Sequence, residues 1–398
     1  MLTRSGWLVI VGGVLTLVAG RVLGLPELYV LGATALALAL VAVVQVRRRP
    51  PDVDVARTIH PPRVPLGGEG HVELRIANRG LRAAPVLSLH DPVAGTVGAT
   101  VSLAPLAPGE QQAASYRLPT GRRGLVRVGP LEARLVDPFG LARRRTEVAG
   151  EAALTVLPAI DELRRPVKGG GFDDPLGGIA HRVPGSAGDE DFATLRPYVV
   201  GDDLRRVHWS SSARAGDLLV RQDDPPWQGQ LTVVLDARAD RLDPERFEVA
   251  VSAAASLVHA VAQRGDRVRL VLSDGTDTGM VDARAGRDTL LEHLALVERH
   301  DATALPEPAS DGRGRAGGLV VVAGAPDADD LALLAAQRSR YGAVRLVAVL
   351  GHDAPGAGAG AGGPLSRPVP PGVELVALRP GTEFADAWQA TSPTAVAR

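Results

Sequence analysis

Two apolar runs open the chain. Trp7 to Leu23 is apolar apart from Thr16 and Arg21, and Leu28 to Val46 is apolar apart from Thr34 and Gln45. As helix, each run would be about 26–29 Å long, close to the hydrocarbon thickness of a bilayer. Gly24, Leu25, Pro26 and Glu27 separate them, so residues 1–50 read as a transmembrane helical hairpin. The first run alone also has the form of a signal peptide, with Arg4 ahead of it and Ala19 and Gly20 near its end. The second run behind it favours the hairpin. Arg4 before the first run and Arg47, Arg48 and Arg49 after the second place both ends in the cytoplasm by the positive-inside rule. The expectation is a multi-pass protein of the cell membrane with its soluble part cytoplasmic.

From residue 51 to 158 the pattern shortens. His71–Ile76 alternates with period two and stops at Asn78, Arg79 and Gly80. Val86–Leu89, Gln112–Leu118, Leu125–Val128, Leu131–Val136 and Ala153–Leu157 read as further strands, and Leu103 to Glu110 as a strand end plus a turn. Short strands at this spacing predict an antiparallel β-sandwich of immunoglobulin-like size, either a partner-binding domain or a spacer. Asp137-Pro138-Phe139-Gly140-Leu141 interrupts the alternation and reads as a structural corner with a buried Phe139.

The period changes again over residues 230–398. Leu231–Leu235 is a continuous apolar run ending at Asp236, as a buried parallel strand requires. Pro244–Arg264, Asp288–Glu298 and Asp329–Tyr341 have helical spacing. They alternate with strands at Arg267–Leu272, around Met280, at Leu319–Val322, Val344–Leu350 and Val373–Leu378, and a short helix closes the chain. The Gly/Pro-rich stretch 354–371 reads as a loop. Alternation of this kind predicts an α/β domain with a mostly parallel sheet. Ligands of such sheets sit beyond the carboxyl ends of the strands, where Asp236, Asp240, Asp327, Gly324 and Thr303 fall. Oxygen ligands there could hold a divalent cation; Asp236 and Asp327 could equally cap the helices that follow.

Between these domains, residues 159–229 are rich in charge. Asp202, Asp203, Arg205, Arg206 and Arg214 crowd around Tyr198, His208 and Trp209. Arg and Trp combine buried area with directional donors, so Asp202, Asp203, Arg205, Arg206, His208, Trp209 and Arg214 form a candidate partner-binding surface or an inter-domain lock. The whole-chain charge of -1 argues against non-specific nucleic-acid binding, and the lack of cysteine excludes disulfides and thiolate chemistry. An enzyme can be built on His208 with Ser210, Ser211 or Ser212 and an Asp behind it. On an extended strand His208, Ser210 and Ser212 would share a face. No Gly-x-Ser-x-Gly elbow accompanies them, so the expectation is a non-enzyme without cofactor or metal.

Three stretches together carry a resemblance. They are Arg122-Arg123-Gly124-Leu125 leading to Asp137–Leu141, Phe192–Tyr198, and Gly201–Trp209 continuing to Ala213-Arg214. The chain resembles the bacterial membrane-protein family catalogued as domain of unknown function 58. The resemblance implies a von Willebrand factor A-like (Rossmann-like) fold for the last domain and a MoxR-type AAA+ ATPase as partner. The Asp-x-Ser-x-Ser metal motif of von Willebrand A domains reads Asp236-Ala237-Arg238-Ala239-Asp240 here, with Arg238 bringing positive charge to the cation's place. Ser210 stands where many members have a basic residue. The expected function is a membrane-anchored scaffold or adaptor; a cation-dependent binding module and a serine hydrolase are the alternatives.

Overall fold

A computed structural model of the chain describes residues 2–48, 53–165, 167, 194–197, 209–222, 229–308, 316–351, 365 and 367–391. Two compact units divide it, Met1–Pro158 and Ala159–Arg398.

The first unit begins with helices α1 (Arg4–Leu23) and α2 (Pro26–Arg48). Both are long and apolar enough to cross a membrane. Thr3 caps α1 by accepting from the Gly6 amide at 3.1 Å, and Gly24 ends it in the left-handed conformation. Three sheets follow. β1 (Val53–His60), β3 (His71–Asn78) and β6 (Gln111–Arg117) form one, in the order β1-β3-β6. β5 (Ala99–Leu103), β4 (Leu87–Asp91), β8 (Leu131–Val136) and β9 (Arg143–Ala149) form the second, in the order β5-β4-β8-β9. The third is β2 (Arg63–Pro65), β10 (Ala152–Leu157) and β7 (Gly124–Val128). All pairings are antiparallel except that of β2 with β10.

Alternation explains the core. Val72, Leu74 and Ile76 of β3 face Leu87 and Leu89 of β4, Leu131 of β8 and Leu154 of β10 in one cluster. Ala42 and Val46 of α2 belong to that cluster too, so the hairpin and the β-sheets share a core.

One polar network crosses this apolar interior. Arg57 of β1 donates to Asp91 of β4 at 2.8 Å, and the Tyr116 hydroxyl of β6 donates to the other Asp91 oxygen at 2.6 Å. Arg57 also donates to the Gly150 carbonyl. The side chains of Arg57 and Asp91 are 3% and 1% exposed, so the pair ties the first sheet to the second in a water-poor setting. Burial, and then the Asp91 carboxylate, push the Tyr116 phenol well above its ordinary range, which keeps it a donor.

The corner Asp137–Leu141 is built as its residues dictate, with one difference from expectation. The Asp137 carboxylate accepts from the amides of Phe139 and Ala142, and Gly140 takes the left-handed conformation the turn requires. Phe139 is 63% exposed, whereas Leu141 is buried. The short turn leaves no room to fold the ring inward, and Leu141 fills the core position instead. The carbonyls of Gly140 and Leu141 are taken by Thr3, whose hydroxyl donates to Gly140 at 2.6 Å and whose amide donates to Leu141 at 2.9 Å. Gly6 is needed because a Cβ there would lie 2.1 Å from the Leu141 carbonyl oxygen.

The second unit opens with the antiparallel pair β11 (Thr194–Pro197) and β12 (Leu219–Gln222), which flanks the short helix α3 (Trp209–Ala215). A six-stranded sheet follows. Its strands are β13 (Gln230–Leu235), β14 (Arg267–Leu272), β15 (Val281–Asp282), β16 (Ala316–Ala323), β17 (Tyr341–Val349) and β18 (Val373–Leu378). The helices are α4 (Pro244–Arg264), α5 (Ala283–Leu296), α6 (Ala328–Gln337) and α7 (Phe384–Ala390). The order is β15-β14-β13-β16-β17-β18, parallel throughout except for the edge strand β15. β13 and β14 are buried at every position after their first residue, as strands covered on both faces must be. α5 begins at Ala283, five residues before the expected Asp288, because Asp282 supplies its N-cap. Most of the expected loop 354–371 lies outside the described residues.

Replacing Arg57 by Met strands the buried Asp91 carboxylate, and is expected to destabilise the first unit by about 3–5 kcal/mol in chemical denaturation. Tyr116→Phe, which loses one charge-assisted hydrogen bond, should cost less, about 1.5–3 kcal/mol.

His259 of α4 supplies a pH dependence in the second unit. Its Nδ1 accepts from Arg287 Nε of α5 at 3.1 Å, and burial followed by the Arg287 charge lowers its pKa below 6.5. The unfolded chain therefore binds the proton more readily, so this contribution to stability is full above about 6.5 and is lost as pH falls through the lowered value. Thermal unfolding between about pH 7 and 5 should show this loss, and His259→Gln should flatten it.

Candidate functional site

Two regions of the second unit carry candidate chemistry. In the charged segment, Trp209 opens α3 and is 64% exposed, Arg214 is exposed in its last turn, and Ser212 is buried. Asp202, Asp203, Arg205, Arg206 and His208 lie outside the described residues. The backbone from Trp209 to Ala215 is helical rather than extended, which corrects the strand geometry expected for the serines. Residues two apart on a helix are turned by roughly 200°, so the shared face of a strand does not exist there. A run of Ser, Ala and Arg has no alternating apolar pattern to hold it in a sheet, and Ala and Arg favour helix.

The second region is set by strand order. Counted within the six-stranded sheet, the order reads 3-2-1-4-5-6, so the chain leaves β13 and β16, neighbours in the sheet, in opposite directions. A crevice opens at the carboxyl ends of two such strands. Asp236 follows β13 directly and is fully buried. It does not cap the next helix; Asp243 does that for α4. Asp236 instead holds Arg238, whose Nε and Nη2 donate to its two oxygens at 2.9 and 3.0 Å. Nη2 also donates to Asp330 of α6 at 2.8 Å. The Arg238 and Asp236 side chains are each 1% exposed and that of Asp330 is 5% exposed. Burial works against the Arg238 charge, but its hydrogen bonds to the Asp236 and Asp330 carboxylates outweigh it and raise the pKa above the ordinary arginine value.

Around this centre the remaining charges pair off. Asp327 caps α6 by accepting from the amides of Asp329 and Asp330, while Asp330 accepts from the Asp327 amide at 3.2 Å in a reciprocal box. Arg241 pairs with Asp327, and with Asp240 at 3.2 Å. The Asp327 carboxyl lies below the usual range, first because of the Asp330 amide and further through Arg241. Thr303 is exposed on its loop. Gly324 lets the loop after β13 close over β16, since a Cβ there would lie 2.3 Å from the Arg241 carbonyl oxygen. The carboxylates considered as cation ligands, Asp236, Asp240 and Asp327, thus have arginine or amide partners. Among the described residues no three His, Asp or Glu side chains gather as a metal set. Asp330 was not foreseen as a site residue, although Asp327-x-x-Asp330 carries the signature of a capping box.

A serine–histidine pair that the sequence did not suggest lies nearby. Ser273 Oγ and His300 Nε2 are 2.9 Å apart, beyond the ends of β14 and β13. The Ala302 amide donates to His300 Nδ1 at 3.2 Å, which leaves the proton of the neutral ring on Nε2, facing the serine. Ser273 Oγ also accepts from the Ala237 amide at 2.8 Å. A base must present an unprotonated nitrogen to the nucleophile, so this pair is wired to hold the loop rather than to activate the hydroxyl.

Comparison with known proteins finds similarity in the second unit. The family model described as "Protein of unknown function DUF58" matches residues 194–358, from β11 through β17. An uncharacterized protein of Bacillus subtilis, YeaD, is 26% identical over 188 residues, 46% of this chain and 45% of its own length. An uncharacterized protein of Mycobacterium tuberculosis is 32% identical over 140 residues, 32% of this chain and 43% of its own length. The chain thus spans less than half the length of these curated relatives. Among solved structures, the CARDB domain of a Pyrococcus furiosus protein aligns with 27% of this chain and 86% of its own, at 19% identity and a TM-score of 0.21.

Removing the guanidinium from the crevice tests its role. Arg238→Ala leaves Asp236 and Asp330 buried without their cation and should destabilise the second unit by about 3–5 kcal/mol. Chemical denaturation of wild type and variant reads the effect.

Proposed function

We propose that the chain is a membrane-anchored scaffold or adaptor that holds a protein partner through the exposed surface of its second unit. In this reading α1 and α2 span the bilayer with both ends in the cytoplasm. The β-sheets form an immunoglobulin-like sandwich on the anchor. The α/β unit is von Willebrand factor A-like, a reading supported by its Rossmann-like strand order.

The observation that carries the proposal is the filled crevice. Where parallel sheets of this order commonly take a ligand, Arg238 is fixed between Asp236 and Asp330. Trp209 and Arg214, by contrast, stand on the surface at α3. Trp and Arg are the residue types enriched at binding hot spots, and this short helix exposes one of each. Asp202, Asp203, Arg205, Arg206 and His208, close in sequence, complete the candidate partner-binding set in this proposal. The partner implied by the family resemblance is a MoxR-type AAA+ ATPase.

The test is co-purification of the full chain from membranes with a MoxR-type ATPase of the same organism, for wild type, Trp209→Ala and Arg214→Ala. The expected outcome is capture by wild type and binding weakened about thirtyfold by Trp209→Ala, the loss typical of a hot-spot residue, with thermal stability unchanged. Capture unaffected by both variants would sink the assignment to this surface, and unfolding of Trp209→Ala would make the residue a structural lock.

A further inference from the structure

We propose that the corner Asp137–Leu141 dips into the bilayer interface, with Phe139 among the lipids of the leaflet where α1 begins and α2 ends. This rests on the membrane-anchor reading above. It adds a third membrane contact, made by the β-sheets rather than by the helices.

Backbone pairing fixes which way the corner points. Leu2 and Ala142 form an antiparallel bridge, the Thr3 amide donates to the Leu141 carbonyl, and the Thr3 hydroxyl donates to that of Gly140. As the chain climbs from Leu2 into α1, its partner descends from Ala142 towards Phe139. The tip of the corner therefore lies in the direction in which α1 enters the bilayer. It reaches the first turn of that helix, since the Leu141 carbonyl oxygen occupies the space a Cβ on Gly6 would need. On its other flank, Pro138 lines a pocket together with Gln45 and Val46 of α2. α2 ends at Arg48, so a rise of about 1.5 Å per residue puts Gln45 about 4.5 Å inside that end. The tip thus lies beside the first turn of one membrane helix and the last turn of the other.

What the corner shows there is apolar. Phe139 is 63% exposed, and Trp7, the residue after Gly6, is 59% exposed. Val136, just before the corner, and Val86, which lines the same pocket, are exposed as well. Trp favours the membrane–water boundary, and a Phe beside it has an apolar ring to bury at that depth. Lipid also requires the backbone it meets to be satisfied from within the protein. The Asp137 carboxylate accepts from the amides of Phe139 and Ala142, its carbonyl accepts from the Gly140 amide, and Pro138 has no N–H. Thr3 takes the carbonyls of Gly140 and Leu141. Asp137, the one charged residue of the corner, is buried, so the tip carries no free charge into the interface.

The chain has no cysteine, so single cysteines can be introduced and labelled with a fluorophore. Phe139→Cys reports on the corner. Val14→Cys, exposed near the middle of α1, reports on the anchor. Val97→Cys is the aqueous control. β4 runs antiparallel to β8 and so away from the corner, and the exposed Val97 follows it at the far end of the sheet. Each labelled full chain is reconstituted in phosphatidylcholine vesicles brominated either near the headgroup end of the acyl chains or deep within them. The expected result is a loss of emission at Phe139 that is greater with shallow than with deep bromine. Val14 should be quenched more by deep bromine, and Val97 by neither. Emission at Phe139 as insensitive to bromine as that at Val97 overturns the proposal. If Val14 is then still quenched, the anchor reading stands; if Val14 is unquenched too, the anchor has failed with it. A label at Phe139 shielded from water yet untouched by bromine overturns the proposal in favour of a protein contact at the corner.

Discussion

The buried guanidinium of Arg238 is the constraint on which the α/β unit depends. A sheet that sends its chain in opposite directions from two neighbouring strands leaves loop ends facing each other across a crevice. Something must satisfy the polar groups there. Two devices serve ligands in such crevices: carboxylates that hold a cation, and a helix N-terminus whose amides hold an anion. Here both are spent internally. Asp236 and Asp330 take the cation of Arg238, and the first amides of α6 take the carboxylate of Asp327. Asp330 belongs to both sets, since it receives Arg238 and closes the box at the start of α6. The loop after β13 and the helix after β16 are therefore fixed by one connected network. Two carboxylates against one guanidinium leave a net negative charge, which the Asp330 contact to the Asp327 amide and the Asp236 contact to the Arg238 amide help to offset.

How much of this was legible in the sequence varies with the reach of the interaction. The parallel strands announced themselves because burial on both faces demands mostly apolar runs, as in Leu231–Leu235 and Leu270–Leu272, the latter preceded by Arg269, which pairs with Asp277. Pro244–Arg264 was readable to the residue, since Asp243, Pro244 and Gly265 mark its ends. The identity of Arg238 as a cation near Asp236 was also readable. Its second partner was not, because Asp330 lies 92 residues away and no local spacing reports it.

The β-sheets show the same limit. β1 alternates Val53, Val55 and Ile59 with polar residues, but Arg57 occupies an inward position and breaks the apolar pattern. Only its distant partner Asp91 makes an inward arginine tolerable. β9 escaped for a different reason. As the edge of its sheet it carries Arg143, Arg144 and Arg145, the charged dressing that discourages edge-to-edge pairing and hides a strand from a hydrophobic reading. Phe139 was misplaced because an aromatic inside an alternating stretch reads as core, whereas the turn made by Asp137 and Gly140 gives the core position to Leu141.

That turn has a further consequence for how the first unit holds together. Asp137 satisfies the amides inside the corner, so the carbonyls of Gly140 and Leu141 point outward and need donors. Thr3 supplies them from the residue before α1, with Gly6 clearing the space. At the end of α2, which lies beside the start of α1 in the antiparallel hairpin, Ala42 and Val46 enter the core of the sheets. The helices and sheets are thus joined at the start of α1 and at the end of α2, not through a flexible tether. Neither joint exists until β8 and β9 have formed the corner, and the corner's carbonyls lack protein partners until the hairpin is in place. Placement of the helices and closure of the sheets are therefore coupled steps. Two joints a whole hairpin apart in sequence also resist tilting better than a single connection would, which keeps the exposed Val86 and Val136 beside the end of α2.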